Sequence, residues 1–98
     1  MFYVRTLVGI VEGYPQQVTK RPRPKNIVGR RVADARVLFR PSLTQDALSG
    51  RLASLGVQLD RAAIAKIENE LRGVQDFEVK ALAIALCVDV GWLLGDPS

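Results

Sequence analysis

Three short stretches of the chain repeat one grammar. In "LTQDAL" Thr44 follows Leu43 and precedes Leu48 by four residues; in "LDRAAI" Asp60 stands in the same way between Leu59 and Ile64; in "VDVGWL" Asp89 stands between Val88 and Leu93. A short oxygen-bearing side chain there can accept a hydrogen bond from a free backbone N–H of a helix's first turn. The apolar pair around it clamps the chain where it enters the helix. The pattern predicts helices opening at residues 45, 61 and 90, which commits the chain to an all-α fold.

Two further helices complete the set. Apolar residues recur at helical spacing at Val28, Val32, Ala35 and Phe39, giving a first helix that halts before Pro41, with Arg30 and Arg31 on its outer side. Asp76 caps another, whose run "FEVKALAIALCV" is too long for a typical buried strand. Links such as "RGVQ" are short, and Gly95 and Pro97 close the last helix. The reading is a five-helix bundle over residues 26–98.

Residues 1–25 differ in character. The two prolines of "RPRP" interrupt any helix, so the stretch reads as a leader and a basic linker. In "MFYVRTLVGIVEGYP" Phe2, Val4, Val8 and Ile10 fall on one side of a two-residue alternation, which reads as an isolated extended strand. The stretch is too short for a membrane span and has no clear cleavage signal. Two fates stay open. The strand pairs with its copy in a second chain to form a homodimer, or residues 1–17 are an extension before a start at Val18.

At 98 residues the chain holds one small domain. It has no histidine and a single cysteine, Cys87, so no disulfide framework or Cys/His metal site forms within the monomer, and a cytoplasmic setting fits. Cys87, in an apolar helical run, is expected in the core rather than as a reactive thiol. With no nucleophile and base at a plausible spacing and no phosphate loop, an enzyme is not expected, nor is a cofactor or a metal. Residues 1–40 carry nine Lys/Arg against two acids, while 41–98 carry five against eight. The basic run "KRPRPK" at 20–25 matches a phosphate-binding footprint, with a solvated tail as the bland alternative.

The third helix has an unusual outside. At about 100° per residue, Ile64, Ile67 and Leu71 share a core face, and Ala62, Lys66 and Asn69 cluster opposite, with Arg61, Ala65 and Arg72 on the flank. An ordinary solvated face would hold long Glu, Lys and Gln side chains. Small residues between cations suit close approach to a groove. Glu68 lies only about 40° from Ile64, so it faces the rim of the core and needs a partner.

The ordered pieces "VGRRVADAR", "LTQDAL", "AAIAKIEN", "ALAIAL" and "VDVGWLLG" resemble the Cro/repressor (XRE) helix-turn-helix family across residues 27–95. "ASLGVQLD" is about five residues longer than that family's usual tight turn, resembling a subgroup with a lengthened connection. The resemblance implies a compact lambda-repressor-like domain that binds double-stranded DNA as a transcriptional regulator, of repressor or antitoxin type. It implies base contacts from Arg61, Ala62, Ala65 and Lys66, and phosphate contacts from Thr44, Gln45, Asn69 and Arg72, with Arg23 and Lys25 of the basic arm added to them. It further implies an ion pair between Arg36 and Glu68, Trp92 in the core, a homodimer reading two half-sites, and a bacterial or phage nucleoid setting. A toxin or another regulator is a further expected protein partner, and no membrane is expected. The alternative is a protein-interaction module that keeps the helix-turn-helix as scaffold and docks its leader strand on a partner.

Overall fold

The computed structural model describes residues 23–95. Within them the chain forms five helices: α1 (Gly29–Leu38), α2 (Gln45–Ser54), α3 (Arg61–Glu68), α4 (Asp76–Leu86) and α5 (Val90–Leu93). The described residues contain no strand. The leader strand and Pro97 lie outside them.

The grammar of caps and staples accounts for three of the starts. Thr44 Oγ1 accepts from the Ala47 N–H at 2.9 Å and Asp60 Oδ1 from the Ala63 N–H at 2.8 Å. Asp89 holds the cap position of α5 without a side-chain bond. The apolar partners do their part: Leu48, Leu59, Ile64 and Leu93 are buried, with Leu43 and Val88 packed against them.

The start of α4 is displaced from the expected one. Gln75, not Asp76, is the cap residue, because Glu78 reaches back one turn and accepts from the Gln75 N–H at 3.0 Å. That carboxylate is buried, and the Arg72 guanidinium at 3.3 Å supplies the counter-charge.

The core is one cluster to which every helix contributes. Val28, Val32 and Ala35 meet Leu48 and Leu52, Ile64 and Ile67, Leu82 and Leu86, and Leu93. α1 packs on α3, α4 and α5, and α2 packs on α3 and α4. Where α1 meets α3 the backbones come so close that a Cβ on Gly29 would collide with the Ile67 carbonyl. Asn26 seals the same seam. Its Oδ1 accepts from the N–H groups of Val28 and Gly29 at 3.1 and 2.7 Å, opening α1, and its Nδ2 donates to the carbonyls of Ile67 and Arg72 at 3.1 and 2.8 Å.

Three further expectations fail, two of them where a helix ends. In α3 the Leu71 N–H donates to the Lys66 carbonyl and the Glu70 N–H to the Ile67 carbonyl, with Glu70 left-handed at φ 63°. This reversal satisfies carbonyls that the helix leaves free and normally employs glycine. The chain therefore leaves the helical track before Leu71, which is 53% exposed instead of sharing the face of Ile64 and Ile67. α4 ends by the same device, with Val88 bonded to Ala83, Cys87 to Ile84, and Cys87 at φ 58°. Cys87 is consequently exposed and not a core residue. The third is Arg31, expected on the outside of α1: its guanidinium lies 4.8 Å from the centroid of the half-buried Trp92 ring and donates to the Trp92 carbonyl at 2.8 Å. This cation–aromatic contact ties α1 to α5.

A non-glycine residue in the left-handed region carries roughly 1–2 kcal/mol of steric cost. Glu70→Gly should remove that cost and, after the entropy glycine brings, raise the urea midpoint by the equivalent of about 0.5–1 kcal/mol. A fall in the midpoint would show that the Glu70 side chain contributes more than its backbone costs.

Candidate nucleic-acid interface

α3 is anchored on its apolar side by Ile64 and Ile67, both fully buried. Rotation about the helix then turns Arg61, Ala62, Lys66 and Asn69 outward, where all four are exposed, with Ala65 half-buried between them. Arg61 and Lys66 form no ion pair among the described residues. The face is thus two methyl-bearing positions framed by two unpaired cations. Asn69, the C-cap, turns its Nδ2 back on the Ala65 carbonyl at 2.9 Å, which occupies one of the donors it would offer a phosphate.

The opposite flank of α3 is held by a polar cluster. Arg36 Nε donates to Glu68 Oε2 at 2.7 Å and Arg36 Nη2 to Glu68 Oε1 at 3.0 Å, a two-pronged pair whose geometry suits a planar guanidinium. Arg36 Nη1 donates to the Leu43 carbonyl at 2.9 Å, and Gln45 Nε2 to Glu68 Oε1 at 3.0 Å. The side chains of Arg36 and Glu68 are 18% and 8% exposed, so water competes little. The hydrogen bond to Glu68 raises the Arg36 pKa above its ordinary value against the opposing effect of burial. One carboxylate thereby joins the end of α3, the last turn of α1 and the first residue of α2.

The remaining residues expected to touch phosphate divide into two groups. Gln45 belongs to the cluster just described. Arg72 spends its guanidinium on Glu78, at 3.3 and 3.5 Å. Thr44 is exposed, with its hydroxyl oxygen accepting the cap bond. Arg23 and Lys25 are exposed, and the Lys25 backbone N–H donates to the Glu70 carbonyl at 3.1 Å, just beyond α3.

The long connection between α2 and α3 is part of the core. α2 ends on Gly56, left-handed at φ 83°, after which Val57 and Leu59 are buried and Ser49 Oγ donates to the Leu59 carbonyl at 2.7 Å. The angle between α2 and α3 is therefore set by packing.

Sequence reasoning missed the roles of Asn26, Gln45 and Arg72. Their partners are remote or set by turn geometry, and no periodic pattern marks them; Asn26 reaches Ile67 across 41 positions. Comparison of the chain with protein-family models, curated proteins and solved structures finds no match. What the face can do is read from its own side chains.

Removing Arg36 alone leaves the Glu68 carboxylate desolvated and short of its counter-charge. Arg36→Met should cost about 3 kcal/mol, and adding Glu68→Gln should cost less than the two single losses together. Chemical denaturation of the four proteins in that cycle measures the coupling, and simple additivity would reduce the pair to a surface contact.

Proposed function

We propose that the domain binds double-stranded DNA sequence-specifically, as a transcriptional regulator of repressor or autoregulatory antitoxin type. The supporting observation is the outer face of α3: small side chains between two unpaired cations, on a helix held by buried isoleucines and by the Arg36–Glu68–Gln45 cluster. The resemblance to the Cro/repressor family adds to it.

The major groove, about 12 Å wide, admits one helix, and close approach is easiest where side chains are short. In this reading Arg61 and Lys66 bond guanine edges, while the methyls of Ala62 and Ala65 lie against thymine methyls. α2 crosses the backbone beside it. An eight-residue helix reaches few base pairs, so a homodimer on two half-sites supplies the specificity, in the cytoplasm.

A second reading, as a protein-interaction module, is favoured by Phe77 and Ile84. They stand two turns apart on the outer side of α4 and are 53% and 52% exposed. Binding to duplex separates the two readings, since a protein-only adaptor does not bind random duplex even at low salt.

The double variant Arg61→Ala/Lys66→Ala should leave the unfolding midpoint unchanged and lose specific affinity by about 1–3 kcal/mol per base contact. The check is a competition titration on duplexes selected by the wild-type protein from a random pool. Unaltered affinity and preference would remove α3 as the reading element.

A further inference from the structure

Three of the large apolar side chains left outside the core border one flank of the domain. Phe77 and Ile84 stand on the outer side of α4, and Leu55, the cap that ends α2, is 44% exposed. Leu55 and Ile84 line one shallow groove of about 260 Å³ with Arg51, Ser54 and Ala85, between the end of α2 and the second half of α4. Phe77 continues the apolar line two turns earlier, about 10.5 Å along the helix. No residue of α3 lines the groove.

The charge around it is of one sign. Lys80, one turn before Ile84, is exposed and forms no ion pair among the described residues. Arg51 is held at the rim: its Nε donates to the Ala85 carbonyl at 2.7 Å, and its guanidinium carbon lies 5.0 Å from the centroid of the Phe39 ring. Those contacts fix the guanidinium without neutralising it, since neither partner is a carboxylate. The chain holds no acid over residues 47–56 or 79–88, which include both walls of the groove. Asp76, in the first turn of α4, lies at the far end of the line beside Phe77.

Apolar side chains framed by cations fit an occupant whose apolar side chains are framed by acids. A helix has the matching repeat, because its side chains return to one face at the two-turn spacing of Phe77 and Ile84, and helices dock into apolar grooves through such anchors. A second copy meeting the domain face to face through these residues would set Lys80 and Arg51 against their own counterparts.

We infer that the groove between α2 and α4 binds an acidic amphipathic helix of a partner protein. The inference deepens the protein-interaction reading, on whose exposed face it rests, and it holds alongside DNA binding because α3 lends nothing to the groove. The partner's apolar side chains enter between Leu55 and Ile84. Its carboxylates pair with Lys80 and with the Arg51 donors that the Ala85 bond leaves over.

The experiment titrates the full chain into three fluorescein-labelled helical peptides of equal length. The first carries leucines at every third or fourth position flanked by glutamates, the second has lysines for the glutamates, and the third has alanines for the leucines. The wild-type protein should bind the first about tenfold or more tightly than either other, and Leu55→Ser/Ile84→Ser should weaken that binding by about tenfold or more with duplex binding unchanged. Lys80→Glu should move the preference toward the lysine peptide. Amide NMR signals that shift on adding the first peptide should belong to residues 51–55 and 80–87. Absence of binding, or equal affinity for the first and third peptides, overturns the inference. Preference for the lysine peptide, lost in Leu55→Ser/Ile84→Ser, overturns the acidic partner but keeps the face as a docking surface; peptide binding that the double variant leaves intact removes both. Self-association abolished by the same variant gives the groove to a second copy, and displacement of the peptide by random duplex gives it to nucleic acid; either result overturns the inference.

Discussion

The set of α3 against α1 and α2 depends on one carboxylate. Glu68 ends α3, and its two oxygens receive three donors, two from Arg36 on α1 and one from Gln45 on α2. Hydrophobic packing is non-directional and would tolerate a range of helix rotations. A two-pronged guanidinium bond does not, because its donors lie in a fixed plane. Ile64 and Ile67 settle which side of α3 faces inward, and Glu68 narrows how far the helix can rotate about that choice. The outward direction of Lys66, two residues earlier, follows.

A division of work between apolar and polar contacts recurs elsewhere in the domain. Asn26 fixes the seam that Gly29 makes narrow, and Arg72 neutralises the acid that opens α4. In each case burial brings two elements together and a few directed bonds choose their register. The domain itself is nearly neutral, with nine Lys/Arg against eight Asp/Glu over residues 26–95. The chain's positive character is concentrated in the arm before Asn26.

The helix starts were legible in the sequence because a cap and its staple are neighbours in the chain. Thr44 and Asp60 each act within three residues of themselves. The need of Glu68 for a partner was legible too, since its angle from Ile64 follows from helix geometry alone. That Gln45 would share it was not, because nothing local relates residues 23 positions apart. Helix ends were the least legible. Glu70 and Cys87 adopt the left-handed conformation that a reader of sequence looks for at glycine, so α3 and α4 turn off earlier than their apolar spacing implies. Leu71 and Cys87 were misplaced for that one reason.

The lengthened connection between α2 and α3 has a consequence for how the domain tolerates change. Its anchors, Val57 and Leu59, lie after the turn, whereas Leu55 and Gly56 at the tip are exposed. Extra residues spliced in at that tip would bulge into solvent without levering α3 out of place. The connection is thus a natural graft point: a peptide tag or an added loop can be carried there, close to α3, while the core on either side keeps its shape.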